Sequence, residues 1–99
     1  YTATAADFLV PVDVNTTGNV IVTLPAASAA KGQLLTVKAA ATHATRTITI
    51  QRAGTDTIEG ITAGDTALIL SPTATLDSVN LISDGVSKWY LTSFSGTIT

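Results

Sequence analysis

Short segments in which apolar and polar residues alternate recur along most of this chain. A period of two places every second side chain on the same face of an extended strand. The alternation is clear in residues 46–52, where Ile48 and Ile50 share one face. Thr, Val and Ile dominate these segments, and such β-branched residues favour strands because they pack well on a pleated surface. The pattern therefore predicts an all-β fold.

Turn signals separate these segments at intervals of about 8–12 residues, which is typical of small sandwiches and barrels. We therefore expect a small antiparallel β-sandwich or barrel-like domain of about seven or eight short strands. The predicted strands are residues 8–14, 19–24, 33–38, 46–52, 57–61, 66–70, 78–83 and 88–93. Residues 25–32 differ, because they are alanine-rich, begin with Pro25 and end with Gly32. These features predict one short helical turn packed on the sheet.

The first two predicted strands are expected to form a hairpin. Residues 8–14 place Phe8, Val10, Val12 and Val14 on one face, and residues 15–18 carry a turn signal before the second strand. Pro11 has no N–H to donate to a ladder, so its strand is expected at the edge of a sheet.

Length and composition indicate one domain, residues 1–99, with more apolar surface than is usual for a soluble domain. Charged residues make up 12% of the chain and hydrophobic residues 45%, whereas about 25% of a typical soluble domain is charged. No apolar run approaches the roughly 20 residues of a membrane helix, so no membrane partner is expected. The excess apolar surface is expected to be buried between subunits.

The charges and the absence of cysteine exclude further classes. Without cysteine there are no disulfides and no thiolate metal sites. The net charge is −2, and the cations form no basic run, so no nucleic-acid partner is expected. These cations are Lys31, Lys38, Arg46, Arg52 and Lys88.

Three pieces of the chain follow one another in a recognisable order. They are residues 20–27 followed by 31–33, residues 47–50 leading to 56–60, and residues 77–85 followed by Trp89 and Tyr90. Together they resemble a β-rich module of bacteriophage virion proteins, chiefly tail fibres and related appendages. The shared pattern is a strand ending in Leu-Pro, a small-residue turn to Gly, an Ile-x-Ile strand, an Asp-x-Ile-x-Gly turn and a final Asp-Gly-x-x-x-Trp hairpin. The resemblance extends from about Asp7 to Phe94.

The resemblance implies a structural module of the phage particle, commonly a homotrimer, that contacts other virion proteins. It carries no catalytic residues and no cofactor. A tail fibre or tail appendage domain is the leading interpretation, because the resemblance is commonest there. A capsid decoration protein, either head-stabilising or a head fibre, is the alternative, since the pattern does not determine the location on the virion.

A second alternative is a carbohydrate-binding or receptor-binding tip. Trp89 and Tyr90 are adjacent, so a strand directs them to opposite faces, and we expect Trp89 in the core with Leu91 and Tyr90 outward. An exposed aromatic ring can stack on a sugar of a host surface glycan or fill a subunit interface. Tyr90 and Phe94 are therefore the candidate contact residues.

No catalytic or metal-binding constellation is predicted, and the chain is not expected to be an enzyme. His43 is the single histidine, it lies in a predicted loop, and no Gly-x-Ser-x-Gly motif accompanies it. Asp56, Glu59 and Asp65 could serve glycan cleavage or calcium binding, but the spacing of a calcium loop is missing. We interpret Asp56 and Asp65 as turn residues that cap their own backbone.

Overall fold

The computed structural model describes residues 1–42, 45–59, 66–72 and 77–99. Within these ranges the chain forms nine strands, a four-residue helix and a 3₁₀ turn. The strands are β1 (Leu9–Asp13), β2 (Val20–Thr23), β3 (Leu34–Ala41), β4 (Ile48–Gln51), β5 (Thr57–Ile58), β6 (Ala67–Ser71), β7 (Ser78–Ser83), β8 (Lys88–Ser95) and β9 (Thr97–Ile98). The helix is α1 (Val14–Thr17), and the 3₁₀ turn covers Ala27–Ala29. Neither helical segment of the described chain is long enough to cross a membrane.

The strands form two sheets around a shared core. One sheet has five strands in the order β1-β3-β7-β8-β5, and the other has four in the order β2-β4-β6-β9. The all-β prediction is confirmed, with nine strands in the described ranges where seven or eight were expected. The predicted helical turn within residues 25–32 is also confirmed.

The sheets are mixed, and the expectation of an antiparallel arrangement is therefore wrong for three of the strand pairs. The pairs β1–β3, β2–β4 and β5–β8 are parallel. The first four strands alternate between the two sheets, so β1 and β3 lie in one sheet and β2 and β4 in the other. The two strands of each of these pairs run in the same direction. The antiparallel pairs are β3–β7, β4–β6, β6–β9 and β7–β8.

The predicted hairpin between residues 8–14 and 19–24 is wrong, because β1 and β2 lie in different sheets. The Asp13 carboxylate accepts hydrogen bonds from two backbone N–H groups of α1, so the chain enters a helical turn after β1. Gly18, with a φ of 90°, ends that turn. The edge position predicted from Pro11 is confirmed, since β1 borders the five-stranded sheet.

The core consists of inward side chains from both sheets, and the alternation predicted most of them correctly. Ile48 and Ile50 are fully buried, and Trp89 is the largest of the fully buried side chains. Leu91 packs against the same core, while Tyr90 points outward, as predicted. Phe8 is the exception: it precedes β1 and is 76% exposed.

Candidate functional site

The three pieces of sequence that carry the resemblance meet around the 3₁₀ turn. The indole N–H of Trp89 donates to the carbonyl of Pro25 over 3.1 Å. The N–H of Ala27 donates to the carboxylate of Asp56 over 2.8 Å. The hydroxyl of Ser83 donates to the carbonyl of Ala27, also over 2.8 Å. We call these five residues the turn cluster; its side-chain partners come from strands β7 and β8 and from the turn before β5.

The role of Asp56 differs from the one predicted from sequence. Asp56 caps the backbone of a turn 29 residues earlier in the chain instead of capping its own turn. The first N–H groups of a helical turn lack partners within it, and a carboxylate accepts from them favourably. Asp56 is thereby used to hold two distant segments together.

The other candidate acidic residues do not join Asp56 in a site. Glu59 is exposed, and its backbone N–H donates to the carbonyl of Trp89. The predictions for Asp65 and His43 fall outside the described residues. Within the described ranges, no group of three or more His, Asp or Glu side chains is placed to hold a metal ion.

The hairpin between β7 and β8 is organised by one carboxylate. Oδ1 of Asp84 accepts from the backbone N–H groups of Val86, Ser87 and Lys88 over 2.8–3.1 Å. These hydrogen bonds, with that from Val86 contributing most, hold the pKa of Asp84 below its ordinary value of 3.8. The Asp84–Gly85 turn predicted from sequence is thus a closed hydrogen-bonded loop.

Acid is expected to destabilise the fold through such carboxylates. Backbone hydrogen bonds lower the pKa of Asp7, Asp13 and Asp84 from 3.8. Their contribution to the free energy of unfolding is present above the unfolded-state pKa and is lost as the pH falls through the lower folded-state pKa. Urea unfolding followed by Trp89 fluorescence should therefore give a midpoint that is nearly constant above about pH 5 and falls below about pH 4.

The variant Asp84→Asn tests this assignment, because an amide still accepts hydrogen bonds but does not titrate in this range. Asp84→Asn should be less stable than wild type near neutral pH, and the difference should shrink as the solution is acidified below about pH 4. A difference that stays constant over the whole pH range would contradict a stabilising role for the Asp84 charge.

The candidate contact residues Tyr90 and Phe94 lie on opposite faces of β8. Tyr90 is opposite Ile82 and points outward, whereas Phe94 is opposite Val79, whose side chain is in the core. Residues four apart in a regular strand share a face, but the register shift between Asn80 and Leu81 reverses the phase. Phe94 is nevertheless 47% exposed. The structure therefore does not bring the two residues together.

The outward ring of Tyr90 already has a partner. Lys88 places its ammonium nitrogen 5.0 Å from the centroid of the Tyr90 ring, in a cation–π arrangement. Leu34, Ile82 and Tyr90 are direct neighbours across β3, β7 and β8. This apolar row belongs to the outer face of the five-stranded sheet, which also carries the charged residues Asp13, Lys38 and Lys88.

A shallow groove lies between the two strands that begin the fold. Its volume is about 320 Å³, and it is lined by Tyr1, Leu9, Val10, Pro11, Val12, Asp13 and Val20. The groove is formed because β1 and β2 belong to different sheets. The predicted hairpin would have paired these two strands, so the sequence did not indicate a groove here. The N-terminal residues also cover the edge of β2, where Thr2 is bridged to Thr23 in parallel.

The strands of the four-stranded sheet carry uncharged side chains only. Ile21, Thr49 and Ile69 form one row across three strands, and Thr99 continues it through two backbone hydrogen bonds with Ile69. Ile21 is 53% exposed and Ile69 is 36% exposed. The row therefore presents methyl and hydroxyl groups to the surroundings.

Comparisons with models of known protein families, with curated proteins and with solved structures found no match.

Proposed function

We propose that this chain is a structural module of a bacteriophage virion, and that it forms a homotrimeric domain of a tail fibre or tail appendage. The observation that carries the proposal is the turn cluster. The residues of the virion-module pattern, among them Trp89, Asp56 and Pro25, bind one another in three dimensions. This supports the view that the pattern records one tertiary arrangement and is more than a series of independent turn signals.

The use of the polar groups supports a structural role. The side chains of Asp56 and Ser83 bond backbone groups of the 3₁₀ turn, and Asp84 bonds three backbone N–H groups of its own loop. Every buried side-chain nitrogen or oxygen in the described ranges has a hydrogen-bond partner. Groups bound in this way stabilise a scaffold, whereas a catalytic group has to reach a substrate.

A capsid decoration protein would use the same scaffold, and the location on the particle separates the two proposals. The copy number of the chain in purified particles provides the test. A few copies per particle support a tail part, and a large excess supports a capsid part.

The glycan-binding alternative receives less support from the geometry. Tyr90 is exposed as a sugar-stacking residue must be, but Lys88 covers one face of its ring. Phe94 points to the other side of the strand and does not extend the same platform. The structural proposal therefore agrees better with the side chains on this surface.

The trimer is tested by the mass of the chain in solution. Sedimentation equilibrium over a range of concentrations should give a limiting mass of three times the chain mass of 10.1 kDa. Association is expected because the low content of charge leaves apolar surface to be buried between subunits. A monomer at every concentration would contradict the proposal.

A further inference from the structure

We infer that the peptide bond between Asp84 and Gly85 is a site of covalent modification, the isomerisation of aspartate to isoaspartate. The folded hairpin of β7 and β8 keeps this site unreactive, and separation of the two strands makes it reactive. The inference goes beyond the proposed function and does not depend on it. Asp84 is the single aspartate of the chain that a glycine follows, and a backbone nitrogen is least hindered where no side chain is attached to its residue.

The reaction is an attack of the Gly85 backbone nitrogen on Cγ of Asp84. A bond forms between these two atoms, the nitrogen gives up its proton, and the neutral carboxylic acid loses its hydroxyl group as water. The product is a five-membered succinimide ring. Water then adds to the ring at the former backbone carbonyl and breaks its bond to the nitrogen, which yields isoaspartate. The net change is an isomerisation, so it needs no oxidant, reductant or further reactant.

The fold itself requires this reactive sequence at the turn. The Asp84 carboxylate accepts hydrogen bonds from three backbone N–H groups of its own loop. Gly85 has a φ of 79°, and an added Cβ would overlap the side chain of Lys31. Any other residue in place of Gly85 would therefore be both strained and crowded. The structure thus needs aspartate and glycine side by side, and stability of the chain depends on keeping them from reacting.

The nucleophile of the reaction is held by a buried hydroxyl group. The backbone N–H of Gly85 donates to Oγ of Ser83 over 3.0 Å. That oxygen is fixed in place, because its own proton is donated to the carbonyl of Ala27 and the Ser83 side chain is 4% exposed. The nitrogen becomes a nucleophile only when it loses the proton that it shares with Ser83. The contact therefore opposes the first step of the reaction.

The electrophile is held by the loop. Attack by the nitrogen draws Cγ of Asp84 towards Gly85, so Oδ1 must give up its hydrogen bonds to the backbone. The same hydrogen bonds, that from Val86 contributing most, lower the pKa of Asp84 and favour the ionised carboxylate. An ionised carboxylate has no hydroxyl group to release as water. Both reacting groups are therefore kept in unreactive forms as long as the hairpin is intact.

Isomerisation of an open chain would also prevent the hairpin from forming again. Isoaspartate places the former side-chain methylene in the backbone, so the turn becomes longer and its carboxylate moves away from the loop. In the native turn the N–H of Asp84 donates to the carbonyl of Lys88, and Ser83 is paired with Trp89. A longer turn shifts this register. Chains that isomerise while unfolded are therefore expected to refold poorly.

The experiment incubates the full chain at one mildly acidic pH, folded in buffer and unfolded in concentrated urea. Chromatography and mass spectrometry of its proteolytic peptides measure isoaspartate at position 84. Because a closed site reacts only through its open population, we expect isoaspartate to accumulate in urea about tenfold faster, or more, than in the folded chain. Equal rates overturn the inference, and so does an unfolded chain that forms no isoaspartate at position 84.

A pair of variants tests the closed state of the folded loop. Ser83→Ala removes the acceptor of the Gly85 N–H, whereas Val86→Ala changes a side chain that is 70% exposed and keeps the backbone donors of the loop. We expect the folded Ser83→Ala variant to isomerise faster than its unfolded fraction explains, and Val86→Ala to match wild type. Thermal melting by circular dichroism measures the unfolded fraction. Equal rates for the two folded variants overturn the protective role of the Ser83 contact.

The variant Asp84→Asn provides a second measurement if Ser83→Ala does not fold. The Gly85 nitrogen attacks the amide in the same way, but ammonia leaves in place of water, so the reaction no longer depends on the ionisation of a carboxylate. The deamidated chain is heavier and is resolved by mass spectrometry. We expect deamidation to be slow in the folded variant and fast in urea. The same rate in both states would show that the loop gives no protection and would overturn the inference.

Discussion

Replacing Trp89 with alanine is expected to lower the free energy of unfolding by about 3–5 kcal/mol. Trp89 is the largest of the fully buried side chains, so its removal leaves a cavity between the two sheets. It also removes the N–H that bonds the Pro25 carbonyl in the turn cluster. Small domains are stable by only about 5–15 kcal/mol. A large unfolded fraction is therefore expected at moderate denaturant concentrations.

Two further substitutions separate packing from hydrogen bonding at this position. Trp89→Phe keeps an aromatic ring but loses the N–H, and the unsatisfied Pro25 carbonyl should contribute a loss of about 1–3 kcal/mol. Tyr90→Phe, one residue along and outward, serves as the matched control and should change stability by no more than about 0.5 kcal/mol. Urea unfolding followed by circular dichroism measures all three. Equal stability of Trp89→Ala and Tyr90→Phe would contradict the role assigned to Trp89.

Replacing Gly96 with alanine is expected to lower the free energy of unfolding by about 3 kcal/mol. Gly96 connects β8 in one sheet to β9 in the other, and its φ of 105° is unfavourable for any residue with a Cβ. An added Cβ would lie 2.7 Å from Cγ of Asp77, whose side chain is buried. Either the backbone or the buried carboxylate must therefore move.

The matched control is Gly54→Ala. Gly54 also has a positive φ, 52°, but no atom beyond its chain neighbours lies within 4 Å of the position that an added Cβ would take. Only backbone strain of about 1–2 kcal/mol is therefore expected for this variant. The difference between the two variants in urea unfolding measures the crowding at Asp77. If both variants lose the same stability, the close approach of Gly96 to Asp77 has no energetic consequence.

Local patterns were sufficient to predict the strands and many of their buried faces. The inward positions of Ile48 and Ile50 and the opposite orientations of Trp89 and Tyr90 follow from a period of two, which needs no knowledge of the partner strand. Pairing depends on segments far apart in the chain, and the hairpin prediction failed for this reason. Asp13 begins a helical turn that sends the chain to the other sheet.

In the candidate sites too, local contacts could be predicted from the sequence, whereas contacts between distant segments could not. The Asp84 loop was predictable as a turn, because its hydrogen bonds reach only two to four residues ahead. The contact between Asp56 and Ala27 was not, since nothing in residues 56–60 indicates a partner 29 residues away. The opposite faces of Tyr90 and Phe94 were missed because a register shift leaves no clear mark in the sequence.

The order of strand pairing has a consequence for the kinetics of folding. Among the described strands, β7 and β8 are the only consecutive pair that bond to each other. All other pairings must close longer loops, and domains dominated by such non-local contacts fold slowly, commonly in milliseconds to seconds. The Asp84 loop is therefore the natural starting point, and β4 can acquire its second neighbour only when β6 docks. During that interval residues 47–50 have an unpaired edge, so the rate of productive folding competes with aggregation.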